Sequence, residues 1–319
     1  MLQPTIRQIP WILALFVLGP LAGSLTGALR APDGSGDASL LLGIQPLAGV
    51  GAGVVSLLLA LVAGLVASRI NGPRSGFNCA GIVLAWAAWR TTTIDAIIAR
   101  THDASSLYIL AGEGLAFGLG AWLVAMVVHH AGLGRGAHAA LHPMPPGGKP
   151  LGAWLRAPLR ANKDRARANE SFFASILASF VPATSLIIVG VTVAVGIGVA
   201  YLAAQDPLKG QSIFAAALAL IVAVPLARLL ALRGSDAPPE GDEGSFMLGA
   251  AVLAMAGPIA GVVIHGRGLV DATYTSDLFG AASPVSIDWA AGAMLGIPIG
   301  DSWFRSMFAH RPAGAAEAS

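Results

Sequence analysis

Six stretches of this chain run for 18 residues or more without an Asp, Glu, Lys or Arg, at 8–29, 38–68, 114–134, 171–205, 210–227 and 244–266. A helix needs about 20 residues to cross about 30 Å of hydrocarbon, and a charge at mid-bilayer costs roughly 3 kcal/mol or more. Stretches of this kind therefore predict membrane-crossing helices. Composition agrees: 11% of the 319 residues are charged, against about 25% in soluble domains, too few to coat a water-facing surface.

Two further apolar stretches, 75–89 and 289–300, are too short to cross unless flanking charges enter the membrane. They decide between eight crossings and six. The expected fold is all-α, a polytopic transmembrane helix bundle of eight spans, with six as the fallback. Residues 1–130 form a first bundle of four spans, 131–170 a basic loop, 171–310 a second bundle, and 311–319 a disordered tail. The first stretch exceeds the usual hydrophobic core of a signal peptide, about 7–15 residues, and is expected to stay as a helix. Cleavage near Thr26-Gly27-Ala28 is the alternative.

Basic residues in short loops mark the cytoplasmic side. With eight spans and both termini inside, fourteen Lys and Arg fall inside and four outside, with Arg90 left in the membrane. Sixteen Arg against three Lys in an Ala- and Gly-rich chain fit a GC-rich bacterial genome, and the expected location of a multi-pass chain of that origin is the bacterial inner membrane. The 131–170 loop holds seven basic and two acidic residues. Trp154, Leu155 and Leu159, interleaved with Arg156, Arg160 and Lys163, predict a short interfacial helix meeting anionic lipid headgroups. His129, His130, His138 and His142 lack Cys or carboxylate neighbours in sequence and are expected to be solvated. The 233–245 loop carries Asp236, Glu240, Asp242 and Glu243 and is expected to be solvated too.

Forty glycines are present, many at spacing four: Gly19/Gly23, Gly49/Gly53, Gly114/Gly118, Gly257/Gly261 and Gly292/Gly296/Gly300. Small residues at this spacing let helix backbones approach closely in lipid. Pro20, Pro182, Pro225, Pro258 and Pro298 fall inside predicted spans and are expected to break or kink them. Residues 13–22 and 218–227 echo one another around Pro20 and Pro225, a hint of an inverted repeat.

The bilayer should reject charged residues most strongly, so those left in spans are the candidate site. If the third span is one helix over 75–99, Arg90 lies about 15 Å below its outer end, and Glu113 on the next helix reaches about 13 Å. That arrangement predicts an Arg90–Glu113 ion pair. Asp95, His265 and Asp288 fall toward the same outer half. Asp288 and His265 are expected to sit at helix ends near the headgroups, and Asp301 with Arg305, four residues apart, to form an interfacial anchor beside Trp303.

The single Cys79 excludes an internal disulfide, and no nucleotide-binding, zinc-protease or serine-hydrolase motif occurs. No cofactor or metal site is expected. Three functions remain: a small-solute or ion permease first, then a non-catalytic subunit or scaffold of a membrane assembly, then a membrane-embedded enzyme. A polar cavity reaching Glu113 would favour transport, a dry packed bundle the scaffold, and a catalytic dyad in a lipid-accessible cleft the enzyme.

Overall fold

The computed structural model describes residues 3–29, 39–43, 45–141, 183–206, 208–232 and 242–309, and among these it holds helices and no strand. The interfacial helix expected within 131–170, Pro182, most of the 233–245 loop and the 311–319 tail lie outside the described residues. The helix beginning at Ser105 does continue to Leu141, so the stretch read as loop from 131 opens with two to three more helical turns.

The chain enters through α1 (Gln3–Leu13), a π turn (Ala14–Leu18) and α2 (Gly19–Gly27). Pro20 has no N–H to close the ordinary helical bond, and the chain widens just before it: the Gly19 N–H reaches back five residues to the Ala14 carbonyl. The proline is thus absorbed without ending the span. A turn at 39–43 precedes α3 (Pro46–Asn71), and α4 (Pro73–Trp89) follows after one residue, Gly72. Gly72 has φ +94, a conformation that L side chains avoid. Pro46 and Pro73 open their helices, where the missing N–H is harmless.

α4 stops at Trp89, and a non-helical segment separates it from α5 (Ile94–Thr101), which ends at His102 in the left-handed region, φ 51. α6 (Ser105–Leu141) starts under Asp103, whose carboxylate accepts from the Ser105 N–H at 2.9 Å and from the Ser105 hydroxyl. Those bonds hold the Asp103 carboxyl below its ordinary value. The second half comprises α7 (Ala183–Ala203), α8 (Lys209–Leu232), α9 (Glu243–His265), α10 (Leu269–Tyr274) and α11 (Ser286–Ala309). Pro225, Pro258 and Pro298 lie within α8, α9 and α11, which stay helical through them. The expected breaks there do not occur, because one lost bond per helix is tolerated where neighbours pack closely. The echoed segments also differ locally, since 13–22 holds the π turn and 218–227 is continuous helix.

Seven helical segments are long and apolar enough to cross a membrane: Ile6–Gly27, Pro46–Asn71, Pro73–Thr101, Ser105–Gly132, Ser185–Ala203, Lys209–Ala231 and Glu243–Tyr274. This is a multi-pass membrane protein. Large apolar side chains stand exposed around its perimeter, among them Phe16, Leu58, Leu123, Leu186, Phe214 and Val263, a surface that hydrocarbon covers without penalty and water does not. The eighth long helix, α11, carries Asp288, Asp301 and Arg305. It is enclosed by α8, α4, α9 and α6, and from Ser286 to Met294 every residue is buried. The two halves therefore share one core, with α6 packed along α9 and α4 along α11.

Glycine sets the closest approaches. α8 and α11 run parallel, and Gly292, Gly296 and Gly300 lie in turn against Ala216, Ala217 and Ile221. A Cβ on Gly292 would stand 2.6 Å from the Ala216 backbone. Gly114 and Gly118 make the same kind of seam against Ala254 and Ala251 of α9. Gly292→Ala is expected to destabilise the purified protein by about 1–3 kcal/mol through overpacking against a backbone that cannot yield. Gly51→Ala, whose Cβ meets nothing within 4 Å, should be neutral or stabilising by up to about 1 kcal/mol. Thermal unfolding in one detergent compares the two, and equal melting shifts would refute the seam.

Candidate functional site

The end of the bundle that holds Arg69, Arg74, Arg228 and Arg305 is called here the basic end. Five helices bring titratable groups together there. Asp301 of α11, 2% exposed, is the centre. Its Oδ2 accepts from Arg74 of α4 at 2.5 Å and from the Arg305 Nε at 3.0 Å, while Oδ1 lies 2.9 Å from Nη2 of Arg228 on α8. Arg228 is equally buried, its guanidinium between the rings of Phe246 (5.7 Å) and Phe304 (5.6 Å), faces that attract a cation. Glu243, first residue of α9, places Oε1 3.9 Å from Arg228 and Oε2 3.9 Å from Nδ1 of His129 on α6. Beside it, burial pushes the Asp242 carboxyl above its ordinary value, with Arg228 opposing and Glu243 adding to the rise.

This cluster corrects three expectations. Asp301 does pair with Arg305 at 3.0 Å as their spacing predicted, but it is a buried hub and not an interfacial anchor, with Arg305 alone 60% exposed. His129 is not a solvated helix-end histidine, its side chain being 14% exposed and turned toward Glu243. Glu243 is no free loop acid. Apart from Asp301 and Arg305, whose four-residue spacing announced their contact, the partners lie on different helices, so no local spacing announces the rest of the set. The remaining legible signal was the excess of Lys and Arg counted on one side of the membrane.

At the opposite end, α8 and α11 are joined a second time. Asp288 is 0% exposed and its carboxylate takes Lys209 Nζ at 2.7 and 2.8 Å, the Ser212 hydroxyl at 3.0 Å and the Val285 N–H at 3.0 Å. Asp288 is a first-turn acid, as expected, reaching back to the N–H that precedes the helix. Its burial is the surprise: Lys209 is the first residue of α8 and folds inward, also donating to the Thr92 carbonyl at 3.2 Å. Asp288 and Asp301 are 13 residues apart, about 20 Å along α11.

Glu113 is buried at 3% exposure, but Arg90 is not its partner. Its Oε2 accepts from the Ser39 hydroxyl at 2.7 Å and the Leu41 N–H at 2.9 Å, and its Oε1 from the Ser286 hydroxyl at 2.5 Å. Arg90 instead closes α4 on the exposed side, its stem against Gly23 and Gly27 of α2. The predicted pair assumed an unbroken third helix, and the break at 90–93 turns Arg90 away. Glu113 thus pins the 39–43 turn, whose Leu40 backbone presses on Gly49 of α3, to the start of α11. Ser286 and Glu113 are at hydrogen-bond distance but both about 3% exposed, so they do not form a lipid-accessible dyad.

Glu113→Ala should strand two hydroxyls and an N–H and lower stability by about 2–4 kcal/mol, at roughly 1–3 kcal/mol per unsatisfied group with partial relaxation. Glu113→Gln keeps an acceptor oxygen and should lose about half as much. A melting series that ranked Gln below Ala would contradict this geometry.

Asp95, in the first turn of α5, and His265 join neither cluster. His265 Nε2 accepts from the Phe279 N–H at 2.9 Å and so holds the loop before α11. Among the described residues no group of three His, Cys, Asp or Glu side chains could hold a metal ion. Between α6, α9 and α11, just beyond Glu113, the gap lined by Gly118, Ala121, Met247 and Ala290 has no room for a water. Space does exist at the basic end, in a pocket lined by Pro73, Arg74, Phe77, His129, Glu243, Pro298 and Asp301, where about 20 Å³ is open to a water's centre. One water requires about 10–15 Å³. The chain matches no family model, no curated protein and no solved structure.

Proposed function

We propose that this protein is a permease for a small ion, held closed at both ends. The observation that carries this reading is the double linkage of α8 to α11, by Arg228–Asp301 at one end and Lys209–Asp288 at the other. Buried ion pairs are weak sources of stability, because well-packed apolar residues of similar volume do as well or better. Intramembrane ionisable groups therefore point to function before they point to folding. Between the two pairs the α8 and α11 backbones meet on glycine, a smooth contact over which packed helices can slide. Small lateral shifts that open one pair and keep the other would give access from one side at a time. The gap between α6, α9 and α11 admits no water, which favours an ion or proton over a larger solute as the cargo.

The basic end is assigned to the cytoplasm, with both termini there, and the membrane to the bacterial inner membrane. A second reading, a non-catalytic scaffold subunit, is favoured by the dry packing between α6, α9 and α11. Proteoliposomes distinguish them. Under an imposed potential or pH gradient the permease should carry H⁺, Na⁺ or K⁺ faster than protein-free vesicles, and a variant with α8 and α11 joined by a disulfide at mid-helix should be slower. Flux equal to protein-free vesicles for all three cations and for chloride would leave the scaffold reading.

A further inference from the structure

We infer that the pocket at the basic end is a proton site, in which His129 takes up a proton as the ion-pair partner of Glu243, beside Asp301. The inference rests on the permease reading and names its ion.

The pocket has space for about one water, and three of its lining side chains are titratable: His129, Glu243 and Asp301. Glu243 Oε2 and Asp301 Oδ1 are buried and accept no hydrogen bond, the Arg228 contact at 2.9 Å being ionic but off the line of an N–H. His129 Nδ1 and Glu243 Oε2 are 3.9 Å apart, too far for a hydrogen bond but close enough for an ion pair once the imidazole is protonated. The two carboxylate oxygens that lack a donor leave unsatisfied acceptors for that added charge.

The charge around the site also selects the ion. Arg74 of α4, His129 of α6, Glu243 of α9 and Asp301 of α11 line it, with Arg228 of α8 and Arg305 held on Asp301, Asp242 beside Glu243 and His130 beside His129. Three guanidiniums balance three carboxylates, so the cluster is formally neutral with both histidines neutral. An alkali cation would need several more oxygens and would meet three guanidiniums. A proton needs neither: on arrival from bulk water it binds the imidazole, and the imidazolium pairs with Glu243. No covalent bond other than N–H or O–H forms or breaks, and the same proton returns to water on release.

The experiment has two arms on the full-length protein. In nanodiscs, ¹⁵N-histidine NMR follows His129, assigned by its loss in His129→Gln, from pH 5 to pH 9. The expected result is a titrating ring whose midpoint moves by about one pH unit or more in Glu243→Gln, the size of effect a nearby carboxylate exerts. A ring that does not titrate, or an unmoved midpoint, overturns the site. In proteoliposomes, proton flux should depend on pH in wild type and lose that dependence in His129→Gln. Flux with an unchanged pH profile in His129→Gln overturns the site and leaves the permease reading standing. A titrating, Glu243-dependent ring in protein that passes no protons does the reverse.

Discussion

Asp301→Ala is expected to be among the most damaging single substitutions in this protein, lowering stability by about 3–5 kcal/mol, the usual penalty for removing one member of a buried ion pair. That is a large part of the roughly 5–15 kcal/mol that holds a typical domain folded. The loss comes less from the bonds to Arg74 and Arg305, which are half or more exposed, than from Arg228, which is left charged between two phenylalanine rings. Arg74→Ala and Arg305→Ala should therefore cost about 1 kcal/mol or less each. Replacing both members of the buried pair, Asp301→Leu with Arg228→Met, should recover most of the stability, because neither partner is then stranded. Thermal unfolding of the four variants in one detergent reads this directly. If Asp301→Ala matched Arg305→Ala, Arg228 would not depend on Asp301. The same double variant separates folding from function: under the permease reading it folds and no longer closes at the basic end, so its ion leak rises.

How far the sequence reached depends on the range of the interaction. The spans were legible because exclusion of charge from hydrocarbon acts on every residue of a stretch alike, and the short stretch 75–89 proved to be helical as α4. The glycine seams were legible for the same reason, since Gly292, Gly296 and Gly300 repeat at the period of one helix face. Glu113 was recognisable as a polar group where lipid should be, whereas Asp288 was placed near the headgroups and its full burial was not foreseen. Their partners were not recognisable: Ser39 reaches Glu113 from a turn that the apolar stretch 38–68 concealed, and Lys209 looked like an ordinary loop cation. Arg90 failed for a definite physical cause. Depth was measured along a straight helix, and the break at 90–93 leaves no sharp sequence mark beyond three threonines, β-branched residues with low helix propensity. In the basic-end cluster only the Asp301–Arg305 contact was foreseen, from its four-residue spacing; the others needed five helices to be placed.

The opposite end gives the second large effect, and there the two partners should not be equivalent. Lys209→Met is expected to cost about 3–5 kcal/mol, because it leaves the Asp288 carboxylate with two neutral donors in a fully enclosed position. Asp288→Asn should cost less, about 1–3 kcal/mol. The asparagine oxygen can still accept from Ser212 or from the Val285 N–H, and the Lys209 side chain, 13% exposed, can extend its ammonium toward water on its flexible stem. Charge left behind on the exposed partner is cheap and charge left behind on the buried partner is not. Thermal unfolding of the two variants at one pH tests that order. Equal losses, or a larger loss for Asp288→Asn, would mean that Lys209 is the more confined partner, and that this end opens to water from the α11 side. Lys209→Met combined with Asp288→Leu should recover most of the stability while removing the second linkage between α8 and α11. Under the permease reading, a leak at this end should then appear without loss of fold, as at the other. A protein in which neither double variant leaked would be one whose buried charges close nothing.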